Sequence, residues 1–183
     1  MNDNKNDNKI QMDEPNDLTK YFDSNQYVTT IIGSEEEKKA EPNEDKISTL
    51  VSLLTDPSNK VVKEQTLITL KKEKAGEVLL LAIAKPSTKT VRNLLVAACW
   101  ESEINFSKYI PFFILLALDT DYLVSLEAIT TIENMEGPFV KEDIKAAIKK
   151  VKEHQKKINT EQTVLLNDLI VTLENYLSAK TDQ

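Results

Sequence analysis

A seven-residue stretch that occurs twice decides the fold. PSNKVVK occupies residues 57–63 and returns 29 residues later as PSTKTVR at residues 86–92, with five of the seven positions identical or keeping a positive charge. Apolar residues precede each copy, and a run of apolar residues at helical spacing follows it. The repeating unit is therefore predicted to be a helix, a short turn and a second helix.

A third unit follows, in which an Asp-Thr-Asp turn at residues 119–121 leads into another helical run. Aligning the three units makes positions equivalent that recur every four residues and line one side of the second helix. The sets are Val62, Val91 and Val124; Thr66, Leu95 and Ala128; and Leu70, Cys99 and Ile132. The first and third sets are expected to be buried, because a helix pair with one apolar side cannot close a core alone and must stack as an α-solenoid.

The repeat resembles the HEAT-repeat family. Leucines end the first helix, Asp56-Pro57 opens the turn, and the second helix starts with Val-Lys or Val-Arg at residues 62–63 and 91–92. The resemblance covers about residues 44–135. It implies an all-α fold, a right-handed α-solenoid of helical hairpins.

The same resemblance implies a ladder of ion pairs inside the stack. Family members place basic residues of the second helices against turn aspartates of adjacent units, so Arg92 is expected to pair with Asp56 or Asp119. This chain departs from the family pattern at Lys85, where the turn would open with aspartate, and at Ser125, which replaces the basic residue.

Turn and capping residues predict eight helices. They span residues 44–55, 60–72, 76–85, 89–101, 106–118, 121–135, 139–157 and 160–179. These form units at about 44–72, 76–101 and 106–135 and a C-terminal helical cap at 139–179, all within a repeat domain at 44–183. Asn59, Thr88 and Asn105 are expected to be N-caps. Asp119 is expected to be a turn residue and helix cap, and Pro111 to kink the fifth helix or lie in its first turn.

The N-terminal extension, residues 1–43, is acidic. The chain has a net charge of -7, and residues 1–45 contain 5 Lys against 12 Asp and Glu. Because such a segment buries too little apolar surface to offset the entropy of ordering, the extension is expected to be mostly disordered.

An apolar docking segment interrupts the extension at residues 17–32. Its members are Leu18, Tyr21, Phe22, Tyr27, Val28, Ile31 and Ile32. It is interpreted as a helix that packs on the body or as a tethered motif, whose target is either the chain's own concave groove or lysine-rich 139–157 region, or a separate partner. The long charged linker that follows favours a separate partner.

Catalysis is not expected from this chain. His154 lies among charged residues on a solvated helix face, and Cys99 falls at a core position where a thiol acts as a small apolar filler. The three glycines form no phosphate-binding loop, and no metal-ligand spacing or cofactor motif is present. The chain is therefore interpreted as a non-enzyme without cofactor, metal or small-molecule substrate.

The charge and apolar patterns also bear on location. No apolar stretch is long enough to span a bilayer and no secretion signal follows Met1, so a cytoplasmic protein without membrane contact is expected. Basic residues concentrate only at 139–157, which is too little for the phosphate-neutralising stripe that nucleic acid requires.

The family resemblance implies a function in protein–protein interaction. A scaffold or adaptor of this kind binds another protein on the concave face that the second helices line. The residues assigned to that face are Lys60, Lys63, Glu64, Lys89, Arg92, Asn93, Tyr122 and Ser125. Tyr122 is expected to be the anchor or else to pack over the turn of its own unit. The alternatives are a phycobilin lyase-like or chaperone-type HEAT protein and a nucleic-acid-binding helical-repeat protein.

Overall fold

The described part of the chain is all-helical. A computed structural model describes residues 44–58, 60–119, 121–158 and 162–178, without the side chain of Glu44. Within these ranges there are eight α-helices, one short 3-10 helix (Ser107–Tyr109) and no strand. The α-helices are α1 (Glu44–Thr55), α2 (Lys60–Lys72), α3 (Gly76–Ala84), α4 (Lys89–Glu101), α5 (Ile110–Ala117), α6 (Tyr122–Glu133), α7 (Lys141–Gln155) and α8 (Gln162–Ser178). Each lies inside the range predicted for it. The N-terminal extension with its docking segment lies outside the described residues.

The helices pack as four consecutive hairpins. α1 packs on α2, α3 on α4, α5 on α6, and α7 on α8. Between hairpins, α1 contacts both α3 and α4, α5 contacts α7, and α6 contacts both α4 and α8. α6 therefore lies between α4 and α8, and each of these three second helices also packs on at least one first helix. None of the helices in the described residues has the length and apolar character to cross a bilayer.

The aligned sets of apolar residues lie in or against one continuous core. All three members of the Leu70 set are buried, as expected, and so is Val124. Val62 and Val91 are only half-buried, which corrects the expectation that the whole valine set is buried. Both exceptions lie in the first two hairpins, where α2 and α4 do not pack closely together.

An aromatic cluster joins the second and third hairpins. Phe106 is fully buried, and its ring meets Phe113 edge to face with 5.5 Å between centroids. Gly76 opens α3 against this ring: a Cβ atom there would lie 2.9 Å from Cε1 of Phe106. The glycine is thus required for close packing. Pro111 lies in the first turn of α5, which satisfies one of the two expectations for it.

Short polar side chains set the helix starts. The Thr88 hydroxyl accepts a hydrogen bond from the Val91 N–H and caps α4, as predicted. Asn105 is not the predicted N-cap: Phe106 precedes the 3-10 helix and Tyr109 precedes α5 as N-cap residues, and Asn105 Oδ1 accepts from the Ser107 N–H in the turn. The cap of α6 is Asp121 and not Asp119, which was expected to cap this helix. The Asp119 carboxylate instead accepts a hydrogen bond from the Asp121 N–H in the turn before α6. Asn59 lies outside the described residues.

Candidate functional site

Ion pairs connect the second helix of one hairpin to the next hairpin. Lys63 Nζ lies 2.6 Å from Glu101 Oε2 and joins α2 to α4. Arg92 Nη1 lies 3.6 Å from Asp119 Oδ2, which confirms the predicted pairing of this arginine with a turn aspartate of the adjacent unit. Both pairs are mostly shielded from solvent, so they act inside the stack and hold neighbouring hairpins in register.

A neutral contact replaces the ion pair at the third joint, between the third hairpin and the last. Ser125 is fully buried, and its hydroxyl donates to the carbonyl oxygen of Ala117 at 2.6 Å. The side-chain amide of Gln162, at the start of α8, donates to Ser125 Oγ at 3.0 Å and to the Asp119 carbonyl oxygen at 2.8 Å. Ser125 was expected on the partner-binding face. Its hydroxyl is instead used inside the fold, and its burial takes it off that surface.

The other residues expected on the partner-binding face fall into two groups. Lys60, Glu64, Lys89 and Tyr122 are exposed, while Lys63, Arg92 and Asn93 are half-buried. Lys63 and Arg92 belong to the joints, and Lys89 adds a longer contact, 3.6 Å to Asp121. Three of the predicted residues, Lys60, Glu64 and Tyr122, therefore have exposed side chains that form no ion pair with the described residues.

Exposed large apolar side chains concentrate on the second helices. Among the described residues nine such side chains are exposed, and seven lie on α2, α4, α6 or α8. They are Val61, Ile68, Trp100, Tyr122, Leu123, Val164 and Val171, and we call this set the second-helix face. Only Leu53 and Val140 lie elsewhere. Most of the exposed large apolar side chains of the described residues are thus carried by second helices.

Trp100 is the side chain on this face with the most defined position. Its indole N–H donates to Glu127 Oε2 at 2.7 Å, across the boundary between α4 and α6. Leu123 lies one turn before Glu127 on α6, so its exposed side chain is a neighbour of this contact on the helix surface. Trp100 and Leu123 were not identified from the sequence. The repeat alignment could have predicted that Trp100 is exposed. Trp100 directly follows the buried Cys99 on a helix, so the two side chains must face different sides.

Charge changes sign along the row of second helices. α2 carries four lysines and one glutamate, a net charge of +3, and α4 carries one lysine, one arginine and one glutamate, a net charge of +1. α6 has two glutamates, and α8 has one aspartate and one glutamate, so each has a net charge of -2. Among the second helices α2 is thus the most basic, and α6 and α8 are the most acidic.

Two carboxylates approach each other where α6 meets α8. Partial burial raises the pKa of Glu133, and the neighbouring charge of Asp168 raises it further. Tyr176 lies beside them and donates its hydroxyl proton to the Ile132 carbonyl oxygen at 2.6 Å. Burial, followed by the charge of Glu133, raises the pKa of Tyr176 to about 12. The tyrosine therefore stays a neutral hydrogen-bond donor at physiological pH.

Glu133→Gln is expected to stabilise the protein at pH 7. A carboxyl whose pKa is higher in the folded state binds protons more tightly there, so its contribution to stability falls as pH rises through the raised pKa. The gain should stay below about 1 kcal/mol, because Glu133 is largely exposed, and should disappear near pH 3.5, where the carboxyl is protonated in both states. Urea unfolding at the two pH values measures it. Asp168→Asn removes only the charge repulsion and should give a smaller gain, with the double variant gaining less than the sum. A loss of stability in Glu133→Gln at pH 7 would contradict the assignment.

The reactive side chains of the described residues lie apart from one another. Cys99 is buried in α4, burial raises the pKa of its thiol, and the thiol donates to the Leu95 carbonyl oxygen at 3.6 Å. His154 is half-buried in α7, where burial and then the charge of Lys157 lower its pKa. No group of three or more His, Cys, Asp or Glu side chains in the described ranges could hold a metal ion.

Comparisons with protein-family models, curated proteins and solved structures find no match to this chain.

Proposed function

We propose that the protein is a non-catalytic interaction module, a scaffold or adaptor that binds another protein on its second-helix face. The observation that carries the proposal is the distribution of exposed apolar side chains: seven of the nine large ones among the described residues lie on the second helices. Exposed apolar residues that gather on one side of a folded protein mark a surface that a partner covers.

The proposal includes the arrangement of the hairpins as a short HEAT-like right-handed solenoid, in which the second helices line the concave side. The packing of α6 between α4 and α8 supports it. So does the pairing of Arg92 with the turn aspartate Asp119, which the family resemblance implies. In such a stack each hairpin contacts mainly its neighbours, and the row of second helices forms an extended binding surface.

Trp100 and Leu123 are the proposed anchors, with Tyr122 beside them. Tryptophan and tyrosine are enriched among residues that dominate binding energy. The hydrogen bond from Trp100 to Glu127 restricts the indole before any partner arrives, which lowers the entropy lost on binding. The acidic α6 and α8 weigh against nucleic acid as the ligand of this face, because phosphates would meet glutamate and aspartate there.

Leu123→Asp is expected to weaken partner binding by at least about tenfold, since a carboxylate would replace an apolar anchor at the centre of the face. The measurement is a quantitative comparison of the proteins retained from native lysate by immobilised wild type, Leu123→Asp and Leu53→Asp. Leu53 is the matched control, because it is an exposed leucine on a first helix.

The supporting result is a set of proteins that wild type and Leu53→Asp retain equally and Leu123→Asp loses. Circular dichroism must show that all three proteins are equally helical. If Leu123→Asp retains the same proteins in the same amounts as wild type, the second-helix face is not the binding surface.

A further inference from the structure

We infer that the chain covers the α2 end of its own second-helix face with residues 17–32. The inference shares one premise with the proposed function, namely that the second-helix face is a binding surface. It adds the segment that occupies one end of this face. The other end, around α8, and the Trp100 region stay available to a partner.

The target is an apolar strip on α2 with basic residues beside it. Val61 and Ile68 are 67% and 59% exposed, and their spacing of seven residues places them on the same side of the helix. Lys72 lies one turn after Ile68 on that side. Neither Lys60 nor Lys72 makes an ion pair with any residue that the structure describes. The strip thus offers two apolar contacts and two lysines without an ion pair to the described residues, with the exposed Glu64 between Val61 and Ile68.

A groove lies next to this strip. It has a volume of about 420 Å³ and runs between α2 and α4, where the two helices do not pack closely. Leu54, Leu67 and Leu94 contribute apolar lining, and Lys63 and Glu101 lie at its border. An apolar side chain of a bound segment could therefore enter the groove while its neighbours contact Val61 and Ile68.

Residues 17–32 have the composition that this target requires. Leu18, Tyr21 and Phe22 are spaced as one side of a helix, and Val28, Ile31 and Ile32 repeat the same spacing. Residues 1–43 contain 10 Asp and Glu against 5 Lys, so the extension has a net charge of -5. It is attracted to α2, with its net charge of +3, and repelled by α8, with its net charge of -2. Charge therefore favours α2 over α8, and the signals of α7 in the experiment below test the lysine-rich 139–157 region.

The chain connectivity brings the segment to α2. Residues 33–43 separate it from α1, and eleven extended residues reach up to about 40 Å, whereas α2 is only about 20 Å long. Because α1 and α2 form a hairpin, the chain enters α1 near the Lys72 end of α2. A tether of this length holds the segment at roughly millimolar effective concentration, which is sufficient for a weak contact.

Paramagnetic relaxation in the full chain tests the inference without any partner. Cys99 is the only cysteine and is buried, so a nitroxide attached to Ser24→Cys labels residues 17–32 selectively. We expect the label to broaden amide signals of α2 and to leave those of α7 and α8 sharp, with no change on tenfold dilution. Amide hydrogen exchange within 17–32 should be slowed about tenfold, the value for a segment that is docked nine-tenths of the time.

A matched pair of double variants locates the contact. Val61→Asp with Ile68→Asp should abolish both the broadening and the slowed exchange. Val164→Asp with Val171→Asp should leave both unchanged, although Val164 and Val171 have the same spacing on α8 and are 65% and 56% exposed. All four positions are on the surface, so both variants are expected to stay folded.

The inference is overturned if α2 shows no broadening, if α7 or α8 is broadened instead, or if the α2 variant behaves like wild type. Broadening that fades on dilution would assign the contact to a second copy of the chain and would also overturn it. These results are independent of the lysate comparison, so a failure here leaves the proposed partner surface to be judged by Leu123→Asp.

Discussion

Val124→Asp is expected to abolish cooperative folding of the domain. Val124 is 1% exposed, in the first turn of α6, and α6 packs against α4, α5 and α8. A carboxylate at this position would lose its hydration and gain no cation, at a cost of several kcal/mol. Domains of this size have a free energy of unfolding of only about 5–15 kcal/mol, so one such charge removes much of it. Thermal melting followed by far-UV circular dichroism measures the effect.

Two further substitutions, Val91→Asp and Leu123→Asp, serve as comparisons for the stability loss in Val124→Asp. Val91→Asp, the equivalent change in the second unit, should cost less, because Val91 is half-buried and an aspartate there can reach water. Leu123→Asp changes the adjacent, exposed residue and should alter stability by no more than about 0.5 kcal/mol. If Val124→Asp melts like wild type, the equivalence of the three units is wrong.

Phe106→Ala is expected to destabilise the domain by about 3–5 kcal/mol. The ring of Phe106 is fully buried and packs edge to face against Phe113, so its removal forfeits transfer free energy, leaves a cavity and breaks an aromatic contact. Urea denaturation gives the change in the free energy of unfolding. Phe106→Leu fills part of the space and should cost clearly less.

A double-mutant cycle with Gly76 separates the packing effect of Phe106 from a general weakening. Gly76→Ala should destabilise the wild type, because the new Cβ would lie 2.9 Å from Cε1 of Phe106. In the Phe106→Ala background the same methyl group enters the vacated space, so its cost should fall or change sign. Additive effects of the two substitutions would show that the two residues do not share this contact.

Turn, capping and apolar-spacing patterns were sufficient to predict the helices, because these patterns depend mostly on local chemistry. Thr88 caps α4 through its own hydroxyl, and Pro111 lies in a first turn, where its missing N–H has no cost. The Arg92–Asp119 pair was expected as well, because the family resemblance implies that a basic residue of a second helix pairs with the turn aspartate of an adjacent unit. These features need only the position of a residue within its unit.

Apart from the Arg92–Asp119 pair, the features that depend on contacts between units were not predicted. Val91 and Val124 occupy equivalent positions, yet only Val124 is fully buried, because the separation of α2 and α4 leaves the first joint more open. Asp121 and not Asp119 caps α6. The sequence could not distinguish the two, because both are aspartates next to the start of the helix. Burial of Ser125 depends on Gln162, which is 37 residues away in the chain.

The chemistry of the three joints implies that ionic strength acts unevenly along the molecule. Dissolved ions screen Lys63–Glu101 and Arg92–Asp119 in proportion to the access that water has to each pair. The joint made by Gln162 and Ser125 contains no formal charge, and its hydrogen bonds are indifferent to added salt. Concentrated salt therefore loosens the amino-terminal hairpins first, while the carboxy-terminal pair of hairpins keeps its connection.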